Sequence, residues 1–87
     1  SNRESGYGRY DVMLVPKGDD RKYNAIILEF KVYDSYDEST LEDTAQSALR
    51  QIEEKNYDAE LIARGIEKER IRHYGFAFEG KKVLIAE

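Results

Sequence analysis

The chain has no cysteine, a single proline and no long apolar run among its 87 residues. Without cysteine it forms no disulfide, no thiolate zinc site and no cysteine nucleophile, and it is compatible with a reducing compartment. The longest uncharged apolar run, residues 24–28, is far too short to span a membrane, and no basic segment followed by an apolar stretch indicates a signal peptide. We therefore expect a soluble, cytoplasmic domain with no membrane contact.

The composition indicates one small folded domain. With one proline, 40% hydrophobic and 11% aromatic residues, the sequence is not collagen-like, low-complexity or disordered. Its length leaves no room for two cores, so residues 1–87 are expected to form a single domain. The net charge of -4 excludes the overall basic surface of a stand-alone nucleic-acid binder, so any such contact would be local. Because the chain begins without methionine, we expect a fragment of a longer protein.

Alternating apolar residues predict four strands. The predicted strands cover residues 8–15, 23–33, 71–78 and 82–86. A polar run at residues 16–20 separates the first two, which we expect to pair as an antiparallel hairpin. The last two are joined by Glu79-Gly80-Lys81 into a second hairpin.

Two helices are predicted between the hairpins. The main helix covers residues 39–55, since Ser39 and Glu42 have the spacing of a capping box. Its apolar residues lie on one helical stripe, made of Leu41, Ala45, Ala48, Leu49 and Ile52. A shorter helix over residues 58–63 ends at Gly65, a natural left-handed cap. The expected fold is α/β, a mixed four-stranded sheet on which the main helix packs against Ile26, Leu28, Phe30 and Val32.

Three charged residues interrupt the apolar strands. Asp11 lies in the middle of the first strand, where an aspartate is costly if its face is covered. Glu29 and Lys31 break the apolar run of the second strand and project from the same face, roughly 7 Å apart. The hairpin therefore brings two carboxylates and one ammonium to one patch of the sheet.

This combination suits a magnesium-dependent phosphodiesterase. Magnesium takes oxygen ligands and is usually held by one or two carboxylates, so Asp11 and Glu29 suffice, with the backbone carbonyl of Phe30 as a third oxygen. A metal of this kind activates water and neutralises charge, while Lys31 orients the water or stabilises the developing charge. The alternative is a structural ion pair on the sheet.

The residues also resemble a known superfamily. Asp11, followed seventeen residues later by Glu29-Phe30-Lys31, is similar to the PD-(D/E)XK nuclease motif, although Tyr10 stands in place of the proline of its name. Nearly the whole chain resembles a bacterial and archaeal branch of that superfamily. Domains of this branch usually lie C-terminal to an AAA-type ATPase domain. The segments that carry this likeness are residues 1–11, 27–31, 51–57 and 74–83.

The resemblance implies a fold, a site and partners. It implies a restriction-endonuclease-like core whose leading helix would lie upstream of Ser1, so that the chain is truncated at its N-terminus. It implies that the cofactor is Mg²⁺ or Mn²⁺. It also implies that nucleic acid, with DNA favoured, is a partner and that the full-length chain contains an ATPase domain. Gln51 with Tyr57 resembles a Gln and Tyr pair near the active site of related nucleases, which adds Gln51 to the catalytic candidates, although a helix glutamine is often merely solvated.

Two functions remain open from the sequence. The first is metal-dependent hydrolysis of phosphodiester bonds in nucleic acid. The alternative is a catalytically inactive module with the same fold, used for nucleic-acid or protein contact beside the ATPase domain. A homodimer is expected in either case, because the lack of a leading helix would expose apolar sheet surface.

Overall fold

The computed structural model describes the backbone of residues 2–4, and backbone and side chains of residues 9–17 and 23–87. One sheet contains five strands, β1 (Asn2–Glu4), β2 (Arg9–Leu14), β3 (Ala25–Val32), β4 (Ile71–Glu79) and β5 (Lys82–Ala86). Between β3 and β4 the chain forms helices α1 (Leu41–Lys55) and α2 (Tyr57–Ala63) and a short 3₁₀ turn at Lys68–Arg70. None of the helices in this part of the chain is long and apolar enough to cross a membrane.

The sheet is mixed. Its strands are arranged in sequence order; β2 and β3 are antiparallel, β3 and β4 parallel, and β4 and β5 antiparallel. The parallel pair needs a long crossover connection, which α1 and α2 supply. The four predicted strands and both predicted hairpins are confirmed. The three-residue strand β1, which pairs with β2 at the sheet edge, was not predicted. Residue 8 and residues 18–20 of the predicted strand and turn lie outside the described residues.

Helix α1 begins one residue later than the capping pattern predicted. Its N-cap is Thr40, whose Oγ1 accepts a hydrogen bond from the Asp43 amide at 3.1 Å. The Asp43 carboxylate in turn accepts from the amides of Thr40 at 3.2 Å and Ser39 at 3.1 Å. The predicted capping box of Ser39 and Glu42 is therefore wrong. Thr40 and Asp43 have the same spacing and form the box instead.

The predicted end of the second helix is confirmed. Gly65 has a φ of +96°, and its amide donates to the Ile62 carbonyl while the Ile66 amide donates to the Leu61 carbonyl. These two bonds form a Schellman motif, and Ile66 packs against the hydrophobic core as it leaves the helix. The motif turns the chain back toward the start of β4.

Helix α1 covers the other face of the sheet from the one predicted. The β3 residues buried beneath the helices are Ala25, Ile27, Glu29 and Lys31. The first two join a core cluster completed by Ile52, Tyr57, Leu61 and Ile71. The predicted partners Ile26, Leu28, Phe30 and Val32 point to the opposite face, so that prediction is wrong. Small side chains on the covered face of the sheet let the helix approach. The polar side chains of that face contact partners on α1 and in the loop before it.

Gly75 allows α1 to lie close to the sheet. A Cβ added at this position would lie 2.6 Å from the Ala45 carbonyl oxygen and 3.1 Å from the Ala48 methyl. Gly75 is also the β4 neighbour of Glu29 in the register. The helix is therefore closest to the sheet directly beside the charged residues.

We expect Gly75→Ala to lower the free energy of unfolding by about 1–3 kcal/mol, because the backbone of α1 must move away from the added methyl. Urea denaturation measures this loss. Gly80→Asn is the control, since a Cβ there meets nothing within 4 Å and asparagine tolerates positive φ. An equal loss for the two variants would contradict the close approach of α1.

The opposite face of the sheet is apolar and uncovered by α1 and α2. Four of its rings form a chain of contacts, with centroid distances of 5.6 Å for Tyr10 and Phe30, 5.0 Å for Phe30 and Phe76, and 6.5 Å for Phe76 and Phe78. Among the strand residues whose side chains the structure describes, Arg72 is the only charged one on this face. We call this surface the open face.

We expect the open face to pair with the same face of a second copy, which is the predicted homodimer. An apolar surface with almost no charge offers nothing to select a charged partner and nothing to repel its own twofold copy. Sedimentation equilibrium is expected to show a dimer for the native chain and a monomer for Val32→Glu, which changes an exposed open-face residue. Ile62→Glu, equally exposed on α2, is expected to leave the dimer intact. A native monomer at high concentration would contradict this expectation.

Candidate active site

The two predicted metal-binding carboxylates lie directly opposite each other. Asp11 on β2 and Glu29 on β3 are register partners, and their residues are only 3% and 0% exposed. Like charges in directly opposed positions destabilise a sheet, and burial adds a desolvation cost. The site therefore requires a nearby positive charge.

Helix α1 supplies that charge through Lys55. Its Nζ lies 3.1 Å from Asp11 Oδ2 and 3.7 Å from Glu29 Oε1. Asp11 Oδ2 also accepts a short hydrogen bond from the hydroxyl of Tyr57, the first residue of α2. The Lys55 side chain is 21% exposed, whereas both carboxylates are enclosed. One face of the cluster thus contacts a lysine that reaches in from solvent.

Three buried oxygen atoms of the cluster have no hydrogen-bond donor in the described part of the chain. They are Asp11 Oδ1, Glu29 Oε1 and Glu29 Oε2. The Lys55 contact with Glu29 is electrostatic, since 3.7 Å is too long for a hydrogen bond. Buried carboxylate oxygens are normally paired, and two adjacent carboxylates with unfilled lone pairs form the kind of donor set that magnesium uses. The residues present therefore fit a divalent metal.

Within the described residues, the candidate metal ligands among the side chains are Asp11 and Glu29. The described residues contain no group of three or more His, Cys, Asp or Glu side chains placed to hold a metal. The backbone carbonyl of Phe30 remains a predicted third ligand, and the Phe30 ring lies on the open face. A two-carboxylate site would leave the other coordination positions to water and substrate oxygens.

The pKa of Glu29 is raised from its ordinary value of 4.5, first because burial disfavours the charged carboxylate. Asp11 raises it further, while Lys55 and Arg9 act in the opposite direction without cancelling the burial effect. The local cations therefore compensate Glu29 only in part, which leaves room for a further positive charge.

Lys31 lies on the same face as Glu29, as predicted, but its ammonium is held by a residue that the sequence did not indicate. Lys31 Nζ lies 2.5 Å from Oε2 of Glu38, in the loop before α1, and both side chains are buried. Glu38 Oε1 accepts further hydrogen bonds from the Asp34 amide at 2.9 Å and the Thr44 hydroxyl at 3.0 Å. Burial alone would raise the pKa of Glu38, but these hydrogen bonds outweigh it and the pKa is lowered. Glu38 thus remains a fixed anion that orients Lys31.

Of the two helix residues that the resemblance indicated, Tyr57 and Gln51, only the first contacts a carboxylate of the site. Tyr57 contacts Asp11 directly, so the resemblance of Gln51 and Tyr57 to an active-site element correctly located the tyrosine. Gln51 is half-buried on α1, one turn before Lys55 and on the same side of the helix. Its catalytic role stays a prediction. His73, the only histidine of the sequence, pairs with Asp58 at 2.6 Å.

Sequence reasoning missed Lys55 and Glu38. Lys55 follows Gln51 by four residues, and this helical spacing is a signal that could have placed it beside the site. Glu38 had no comparable signal, because it is one acid in an acidic loop and only the fold brings it to Lys31.

A family model described as the PD-(D/E)XK nuclease superfamily matches residues 1–87. The chain belongs to this superfamily. No curated protein and no solved structure gives a significant match. Membership in the PD-(D/E)XK superfamily indicates nuclease chemistry in general and a divalent metal as its usual cofactor, and the fold described above is consistent with a restriction-endonuclease-like core.

We expect Glu29→Gln to be more stable than the native chain at neutral pH in the presence of a chelator. Because the pKa of Glu29 is raised by folding, the folded chain binds the proton more tightly than the unfolded chain, and stability falls as pH rises through the folded pKa. The advantage of the glutamine is expected to shrink toward zero as pH falls to about 4.5, the ordinary value. Urea denaturation across this range measures it.

Glu53→Gln is the matched control for this pH series, since Glu53 is exposed on α1. It is expected to follow the native chain at every pH. A native chain more stable than Glu29→Gln at neutral pH would show that Lys55 and Arg9 fully compensate the buried charge.

Proposed function

We propose that the chain is a metal-dependent nuclease domain that hydrolyses phosphodiester bonds in nucleic acid, with DNA as the favoured substrate. The observation that carries the proposal is the pair of buried, directly opposed carboxylates, three of whose oxygen atoms lack a donor among the residues that the structure describes. A structural ion pair would be expected to use those oxygens internally. Nucleic acid as partner and an AAA-type ATPase domain in the full-length chain belong to the same proposal, on the strength of the resemblance.

The residues divide the work by position. Asp11 and Glu29 would hold Mg²⁺ or Mn²⁺, with the Phe30 carbonyl as an added ligand. A bound metal of this class lowers the pKa of water and neutralises negative charge on the phosphoryl group. Lys31 lies about 7 Å along the strand from Glu29, and its ammonium, held by Glu38, can donate a hydrogen bond to the attacking water or to a phosphate oxygen. Gln51 is proposed to position water or the nucleic-acid backbone.

One observation favours the alternative of an inactive module. The ammonium of Lys55 already contacts both carboxylates and supplies part of the charge that a metal would bring. In an inactive module Lys55 would be the permanent counter-ion. In a nuclease the metal must bind beside it or displace it, so metal binding decides between the two functions.

We expect Asp11→Asn and Glu29→Gln to abolish the magnesium-binding heat in calorimetry and the cleavage of DNA, because each removes a charged ligand. Lys31→Met is expected to keep the metal and to reduce cleavage at least about 100-fold, the usual effect of losing one preorganised charge at a reacting centre. The double variant Lys31→Met with Glu38→Gln tests the same loss without leaving a buried carboxylate unpaired. Lys82→Met, exposed on β5, is the control.

Lys55→Met separates the two functions. If the carboxylates bind a divalent metal, removal of the competing ammonium is expected to tighten magnesium binding, and added Mg²⁺ should restore stability lost with the lysine. If Lys55 is a permanent counter-ion, Mg²⁺ will leave the variant as unstable as a chelator does. That result, or undiminished cleavage by Lys31→Met, would contradict the nuclease proposal.

A further inference from the structure

A second polar site lies beside the carboxylates, at the end of β2 and β3 nearest the start of α1. It is a cleft of about 410 Å³. Its walls come from both strands, the loop before α1 and the exposed side of α1, and the residues used below are Arg9, Lys31, Asp37, Glu38, Asp43 and Arg50. The cleft shares Lys31 with the proposed active site and contains neither metal-binding carboxylate.

Arg9 is the donor in this cleft whose hydrogen bonding is incomplete. Its Nε is buried and has no acceptor in the described part of the chain. Arg9 is also the register partner of Lys31, so two cations lie directly opposite each other. Two residues along the same face, the carboxylates Asp11 and Glu29 are opposed in the same way. Glu38 forms a close ion pair with Lys31, whereas Arg9 acts on Glu29 only through its electrostatic field and forms no close ion pair among the described residues. An unfilled guanidinium donor in a polar cleft favours an anionic ligand.

The acidic residues of the cleft do not fill this role. Glu38 is committed to Lys31, the Asp34 amide and the Thr44 hydroxyl. Asp43 accepts the amides of Ser39 and Thr40 at the cap of α1. Among the lining residues this leaves Asp37, exposed in the loop, against Arg9 and Arg50, so the uncommitted groups are predominantly basic.

We propose that this cleft binds a phosphodiester group of the nucleic-acid strand, with Arg9 as its main ligand and Arg50 as a second contact. The inference rests on the proposed action on nucleic acid and adds the surface that would hold the strand. A guanidinium donates two parallel hydrogen bonds to phosphate oxygens, which fits the planar donor at Arg9. Arg9 precedes Asp11 by two residues on the same face, about 7 Å away, so a strand held in the cleft places its neighbouring backbone near the carboxylates.

Binding is tested separately from cleavage by fluorescence anisotropy in the presence of a chelator. The probes are a short fluorescein-labelled DNA duplex and its single strand. Arg9→Gln is expected to weaken binding about tenfold and to lower the slope of log affinity against log salt by about one. Arg50→Gln, an exposed change that cannot disturb the core, is expected to weaken binding about two- to fourfold. Arg64→Gln, exposed at the end of α2, should bind as the native chain does.

The two proposals fail in different ways. Equal binding by Arg9→Gln, Arg50→Gln and Arg64→Gln, or no binding of either probe by the native chain, would overturn the phosphate cleft whatever the cleavage assay shows. Arginine-dependent binding without cleavage would support the cleft and overturn the nuclease function. An RNA strand of the same sequence, run in parallel, shows whether the cleft prefers one sugar, since phosphate contacts alone would not.

Discussion

The pair of opposed carboxylates at Asp11 and Glu29 is the constraint on which the rest of the structure depends. Two like charges buried face to face between neighbouring strands are unstable unless a cation is brought to them. Helix α1 brings Lys55 at its last residue, and Tyr57 follows at the start of α2 with a hydrogen bond to Asp11. Gly75 lets that helix come close enough to do so. The helices between β3 and β4 thus contribute to the hydrophobic core and also cover the charged site.

The strands and helices could be predicted because each has a local signal, but the covered face could not. In β3 both parities contain apolar residues, but the parity that carries Phe30 and Val32 is apolar throughout and is the more hydrophobic one. Hydrophobicity alone therefore favoured the wrong face. What decides the packing is steric and polar: Ala25, Ala45, Ala48 and Gly75 leave space for close contact, and the charged residues need partners from the helix. A small, partly charged face is buried while a larger apolar face is left uncovered by the helices.

The site was predictable only as far as its residues lie on one hairpin. Asp11, Glu29 and Lys31 follow from strand alternation and from the resemblance, since hairpin register places them together. Lys55 and Tyr57 meet Asp11 across 44 and 46 residues, beyond the reach of strand alternation, so that the resemblance alone pointed to Tyr57 and only helical spacing from Gln51 could have pointed to Lys55. Glu38 is close to Lys31 in sequence, but its importance comes from burial and from the hydrogen bonds of Asp34 and Thr44. These contacts depend on the path of the loop before α1.

The arrangement around the carboxylates also explains how one fold can serve as an ion pair and as a metal site. Lys55 is a long, flexible side chain that is partly exposed, so it can move toward solvent where another cation takes its place, whereas Asp11 and Glu29 are fixed by the strands. Lys31 has no such freedom, because the Asp34 amide and the Thr44 hydroxyl hold its counter-ion Glu38 in place. If the carboxylates bind a divalent cation, as proposed, Lys55 is the lysine placed to give way to it and Lys31 the one that stays. Separate anchoring of the two ammonium groups gives the charged face a replaceable cation and a permanent one.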